Sequence, residues 1–341
     1  MSEHADRLVD RRPALDRDRL LTDLVPPPRF AGARFDTYEP DPAEPSQQSA
    51  RARLEDFAGG APASRGRGLG RLLRSREGAD GPRGVYLDGG FGVGKTHLLA
   101  ATWHAATGRR YYGTFVEYTH LAGALGFRGA VDALAGADLV CVDEFELDDP
   151  GDTVLMARLM RELADSGTRL AATSNTLPDA LGAGRFAAED FLREIQALGR
   201  LFEVVTVEGE DYRHRGSPAA PTPAGEGDLT ALAATRGAVV DDFAALCDHL
   251  ADVHPSRYGT LLDGVRAVGW RGVAPVPDQN VALRLVVLVD RLYDRSLPVV
   301  ATGEPLSVLF DEEMLRGGYR KKYLRALSRV TALAREAAPA V

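Results

Sequence analysis

The run Gly89-Gly90-Phe91-Gly92-Val93-Gly94-Lys95-Thr96 carries the most specific chemistry in the chain. It fits G-x-x-x-x-G-K-[ST] in full and stands between a β-rich run and a helix, the context a phosphate-binding loop requires. Glycines let the backbone wrap a β-phosphate with its amide N–H groups turned inward. Lys95 brings a point charge for the β- and γ-phosphates, and the Thr96 hydroxyl is a magnesium ligand. The competing reading, a chance Gly-rich turn, does not account for the flanking strand and helix. The ligands expected here are ATP and Mg2+.

Two further sites follow at the ends of apolar strands. Leu139-Val140-Cys141-Val142 runs into Asp143-Glu144, and carboxylates that end a buried strand are costly without a cation or water to meet. After a phosphate loop, Asp143 would hold magnesium through its water shell, and Glu144 would orient and polarise the attacking water. Glu144 favours ATP turnover over GTP switching. Thr173-Ser174-Asn175 closes the next apolar strand. If that strand lies beside the Asp143 strand, Asn175 faces the γ-phosphate; a turn-forming Asn is the alternative. Charge developing on the γ-phosphate also calls for a cation, which many such enzymes take from a neighbouring subunit. Arg185, Arg193 and Arg200 fall in the right stretch, and Arg185 is the first choice; each also reads as a surface charge. An arginine acting in trans implies a homo-oligomer, in the form of a ring.

These residues need strands and helices to hold them. From Gly84 the chain alternates: strands at 84–88, 110–116, 139–143, 170–174 and 202–207, with helices at 95–107, 152–164 and around 191–198. Such alternation predicts an α/β fold, a P-loop parallel sheet flanked by helices. Residues 1–29 read as a charged N-terminal tail, and 30–215 as the P-loop core with its N-linker, where Phe30, Phe35 and Tyr38 are apolar anchors and 47–57 is a helix. An Arg/Gly-rich insertion fills 59–83, either a solvated loop or a basic contact surface. Residues 216–228 are a Pro/Gly-rich linker. Residues 229–341 form a smaller, mostly helical domain, with apolar spacing at Phe243, Leu246 and Leu250 and a stripe at Leu324, Leu327 and Val330.

Composition sets the outer bounds. Hydrophobic residues make up 45% of the 341 and charged residues 26%, as in a globular protein. The net charge of −8 argues against nucleic acid as a general partner. Cys141 and Cys247 match no metal spacing and read as buried, reduced thiols. The first thirty residues have no apolar core and so read as lacking a secretory signal, and the longest apolar run, Leu285 to Val289, is far short of a membrane span. The expectation is a cytoplasmic protein.

Together the motifs resemble the AAA+ ATPases of the ZapE type, bacterial cell-division ATPases related to the AFG-one-like ATPases of mitochondria. The most specific stretch is CVDEFELDDPGDTVLMARLMREL, Cys141 to Leu163. TSNTLPDAL, Thr173 to Leu181, resembles the family's TSN-x-x-P-x-x-L, and Asp190 to Ile195 sits where the family has F-L-P-x-I. Asp211-Tyr212-Arg213, the LVDRLYD segment ending at Asp294, and Leu327-Ser328-Arg329-Val330 extend the likeness over most of residues 30–335. A Gln-Arg that the family carries before F-L-P-x-I is absent, where the chain reads Ala187-Ala188-Glu189-Asp190; this is why Arg185 is preferred. Arg284 matches an arginine of the family's C-terminal helix and would reach the nucleotide from the lid, or serve helix pairing.

The resemblance implies ATP hydrolysis coupled to remodelling of a protein partner, notably the tubulin-like division protein, near the membrane. Two other classes stay open. A nucleic-acid-linked ATPase like a helicase loader or transposition helper would use the arginines of 65–83. A scaffold that binds ATP without turnover would fit the missing family arginine.

Overall fold

The computed structural model describes residues 7–13, 19–60, 83–145, 150–177, 192–209 and 221–337. They divide into two compact units. One holds 17–26 and 30–215; the other holds 1–16, 27–29 and 216–341.

The first unit contains α1 (Arg19–Thr22), α2 (Pro45–Gly59), β1 (Gly84–Gly89), α3 (Lys95–Ala105), β2 (Arg110–Thr114), α4 (Phe115–Leu134), β3 (Leu139–Asp143), α5 (Pro150–Asp165), β4 (Arg169–Ser174), α6 (Leu192–Gly199) and β5 (Phe202–Val207). All five strands are parallel, in the order β2-β3-β4-β1-β5. The strand of Asp143 and that of Thr173-Ser174 are neighbours, with Val142 opposite Ala172. β4 therefore lies between β1, which leads into the loop, and β3, which ends in Asp143. Every residue of β3 is buried, as expected of a central strand covered on both faces. The α/β fold read from the alternation is the one observed.

α4 was not anticipated. It follows β2 with no loop, because Thr114 ends the strand and caps the helix. The Thr114 side chain accepts from the Glu117 amide, and the Glu117 carboxylate accepts from the Thr114 amide, a reciprocal capping box. Gly126, at φ 73 and ψ 160, breaks the helix in its middle.

The second unit comprises α7 (Glu226–Ala233), β6 (Ala238–Asp242), α8 (Phe243–Asp252), α9 (Tyr258–Leu261), β7 (Ala267–Val273), α10 (Gln279–Asp294), β8 (Val299–Gly303), α11 (Glu312–Arg316) and α12 (Arg320–Ala337). It is helical in the main, but it is organised on a three-stranded parallel sheet, β6-β7-β8, that the sequence reading did not foresee. α10 is capped by Asp278 and buries Ala282, Leu285, Val286, Leu288, Val289 and Leu292. Of the α12 stripe, Val330 is buried and Leu327 packs against the core, and only Leu324 is corrected. Leu324 is exposed, while Tyr323, Ala326, Val330 and Leu333 face inward. Two segments that carried the family resemblance meet here: Asp290 accepts from Arg325 at 2.8 Å and from Arg329 at 2.5 Å.

The described part of the charged N-terminal tail is packed. Leu8 is fully buried, and the amides of Leu8 and Val9 donate to the Asp241 carboxylate at 3.0 and 3.1 Å. Arg11 donates to the carbonyls of Leu261 and Asp263. The physical cause is Asp241: a fully buried carboxylate at a strand end requires donors, and the N-terminal backbone supplies them. Further on, Leu24 packs into the first unit, and its carbonyl accepts from the Tyr112 amide at 2.9 Å.

Among the described residues no helix is long and apolar enough to cross a membrane. Both cysteines are buried and unbridged, and burial pushes the Cys247 thiol up to about 12. Of the insertion arginines only Arg83 falls among the described residues, and it donates to the Ala164 carbonyl at 2.6 Å.

Candidate functional site

The glycine loop is shaped by close approaches. A Cβ on Gly89 would lie 2.1 Å from the Val207 carbonyl oxygen of the neighbouring strand, so no side chain fits there. Gly92 and Gly94 have φ of 63° and 92°, in the left-handed region that favours glycine. Tyr38 braces the loop from the N-linker. Its hydroxyl donates to the Val93 carbonyl at 3.0 Å, and its ring lies against the Gly94 backbone.

α3 starts at Lys95 with no side-chain cap, whereas α4, α8 and α10 are capped by Thr114, Asp242 and Asp278. A helix start without a side-chain cap suits an anion. Lys95 is buried, and its ammonium donates to the carbonyls of Gly89 at 2.8 Å and Gly90 at 2.5 Å, and to Asn175 Oδ1 at 2.9 Å. These acceptors hold a cation in place at the mouth of the loop.

Asp143 lies at the centre of the site and is 4% exposed. Its Oδ1 accepts from the Thr96 hydroxyl at 3.3 Å, from the Glu144 amide at 3.1 Å and from the Thr173 hydroxyl. Its Oδ2 accepts from the Tyr112 hydroxyl at 2.9 Å. Four donors offset the cost of burying the carboxylate. Glu144 follows at φ 53°, a conformation that costs a non-glycine residue about 1–2 kcal/mol. The turn is held by the Glu144 amide bonding both Asp143 and Thr173, and by the Phe145 amide donating to the Thr173 carbonyl at 2.7 Å. Phe145 is fully buried against Phe115 and Tyr86. As a result Glu144 stands half-buried at the strand end, beside buried Asp143.

The structure therefore brings together Lys95, Thr96, Asp143, Glu144 and Asn175 with the loop Gly89 to Gly94. Arg185 lies outside the described residues, as do Asp211, Tyr212 and Arg213. Arg193 lies in α6 and Arg200 is exposed just beyond it. Within its own unit, the Arg284 guanidinium donates to the carbonyls of Leu250 at 2.8 Å and Val253 at 2.9 Å. It caps the C-terminal end of α8, where the last helical carbonyls need donors. The sequence reading gave no role to Tyr112 or to the Thr173 hydroxyl, and treated Tyr38 only as an apolar anchor. Their hydroxyls were the available signal, since a buried tyrosine or threonine oxygen must find a partner.

A family model, the AFG1-like ATPase, matches residues 15–228 and 226–338. The chain belongs to the AFG1-like ATPase family. The strand order and the glycine loop described above are in keeping with a P-loop fold. Among curated relatives, it is 34% identical over 146 residues to "Cell division protein ZapE" of Escherichia coli, a match covering 39% of each chain. It is 24% identical over 299 residues to "Lactation elevated protein 1 homolog B" of Danio rerio, covering 69% of this chain and 58% of the relative. The chain thus spans about two fifths to three fifths of these relatives' length. Among solved structures, AMPPCP-bound DnaA from Aquifex aeolicus is 15% identical, with a TM-score of 0.39 over 53% of this chain and 51% of that chain. The fold assignment rests on the strand order and not on that likeness.

Proposed function

We propose that this AFG1-like chain hydrolyses ATP to ADP and phosphate with magnesium, at the site formed by the glycine loop, Lys95, Thr96, Asp143, Glu144 and Asn175. The observation that carries the reading is the convergence of Lys95 with Asn175 and of Thr96 with Asp143, each within hydrogen-bond reach across the sheet. The site fits a nucleotide with its metal: an uncapped helix start and left-handed glycines suit phosphate, and a hydroxyl beside a buried carboxylate suits a hard cation. Thr96 and Asp143 would hold magnesium, which supplies neutralising charge at the phosphate oxygens. Lys95 would exchange its carbonyl and Asn175 partners for β- and γ-phosphate oxygens, leaving Asn175 to hydrogen-bond the attacking water. Glu144 would orient that water and take its proton. An arginine from a neighbouring copy, Arg185 as the first choice, would meet the charge on the γ-phosphate in a ring.

The turnover would drive remodelling of a protein partner. The name of the E. coli relative and the segments shared with ZapE-type proteins support a role in bacterial cell division, on the cytoplasmic side near the membrane, with the tubulin-like division protein as the partner.

The test is phosphate release with ATP and magnesium over a range of protein concentrations. Turnover per chain should rise with concentration. It should vanish in Lys95→Ala, and in Glu144→Gln it should vanish while ATP binding persists. Retained turnover in Glu144→Gln sinks the role of Glu144, and turnover independent of concentration sinks the arginine in trans.

A further inference from the structure

Tyr112 belongs to none of the motifs, yet it touches the carboxylate at the centre of the site. Its hydroxyl donates to Asp143 Oδ2 at 2.9 Å, and the residue is 1% exposed. The sheet dictates this contact. Tyr112 lies opposite Cys141 in the β2–β3 register. Side chains alternate along a strand, so Asp143, two residues beyond Cys141, stands on the face that Tyr112 shares. One carboxylate oxygen is thus held from β2, and the other is turned to Thr96, Thr173 and the Glu144 amide.

Tyr112 is itself held from outside the sheet. Its amide donates to the Leu24 carbonyl at 2.9 Å. Leu24 is seated so closely that a Cβ on Gly113 would lie 2.7 Å from its Cδ2. The segment around Leu24 therefore closes the edge of β2 and fixes the strand that carries the tyrosine.

We infer that Tyr112 is a positioning residue, which sets the affinity of the site for magnesium and nucleotide together by fixing the rotation of the Asp143 carboxylate. This rests on the proposed function. Without the hydroxyl, a buried carboxylate oxygen loses a donor, and the group gains a rotation that takes Oδ1 out of line with Thr96. Loss of such a partner behind a metal-holding group typically costs about 10–100-fold in metal affinity.

The test titrates a fluorescent ATP analogue at a series of magnesium concentrations, and again in EDTA, with wild type, Tyr112→Phe and Tyr118→Phe. Tyr118 is the structural control: it is fully buried, and its hydroxyl donates to the Cys141 carbonyl at 3.1 Å, on the same strand as Asp143 but not to the carboxylate. Tyr112→Phe should raise the magnesium concentration for half-maximal binding about tenfold or more and leave binding in EDTA unchanged. Tyr118→Phe should shift neither, although both variants lower the melting temperature. An unchanged or lower magnesium requirement in Tyr112→Phe overturns the inference, and so does an equal rise in Tyr118→Phe. Wild-type binding that ignores magnesium overturns the proposed function and this inference with it; a wild-type response that Tyr112→Phe leaves in place overturns the inference alone.

Discussion

Gly94→Ala probes how the N-linker holds the glycine loop. Gly94 sits at φ 92°, where an L-residue costs about 1–2 kcal/mol. The new Cβ would also lie 2.5 Å from Tyr38 Cε2, and Tyr38 has little room to yield, being 6% exposed and bonded through its hydroxyl to Val93. Displacing the ring forfeits that bond, about 1 kcal/mol, and overpacking adds about 1–3 kcal/mol. The sum is about 3–6 kcal/mol for Gly94→Ala alone. In a Tyr38→Ala background only the backbone term remains, about 1–2 kcal/mol. The assay is urea denaturation of wild type, both single variants and the double variant. The only two tryptophans are Trp103 in the first unit and Trp270 in the second, so a Trp270→Phe background makes fluorescence report the first unit. A coupling of about 2–4 kcal/mol is expected. Costs that add to within about 0.5 kcal/mol would refute the bracing role of Tyr38.

Arg284→Met should destabilise the second unit by about 2–3 kcal/mol, since two charge-assisted bonds to helix carbonyls are lost, and nucleotide affinity should not change. Weaker nucleotide binding at unchanged stability would support the nucleotide role expected from the family helix. Acid should weaken the fold through its histidines. Burial holds His104, His249 and His254 below the ordinary imidazole value, reinforced at His249 by the Arg12 cation. A lowered folded value means that the stability is fully present above the unfolded value of about 6.5. It is lost as pH falls through the lowered folded values. The melting temperature should hold above about pH 7 and drop on acidification, less steeply in His249→Gln; an identical slope in that variant would refute the assignment.

Much of the site was legible along the chain because its elements are local. Glycines at fixed spacing serve a loop whose backbone must be left-handed, and buried apolar runs that end in Asp143 or Asn175 mark strands with polar ends. The adjacency of β3 and β4 was an explicit condition of the reading, and the sheet meets it. What stayed hidden lacks a local signature. α4 carries Gly123, Gly126 and Gly129, which depress helix propensity; the Thr114–Glu117 box and packing beneath the sheet stabilise it nonetheless. β7 contains Gly269, where a Cβ would lie 2.9 Å from both Leu229 and Val240, so this strand needs a glycine that weakens its sequence signal.

The sequence by itself determined the glycine loop, the polar strand ends of the candidate site, the α/β class and the family resemblance, because each depends on residue types and spacing within a few positions. Tertiary structure alone decided the partners across long separations: Tyr112 with Asp143, 31 positions apart, Tyr38 with Val93, 55 apart, and Leu8 with Asp241, 233 apart. The reason is physical. A buried oxygen or amide must find a partner, but which partner it finds depends on strand order and register, and those are set only when the whole sheet packs.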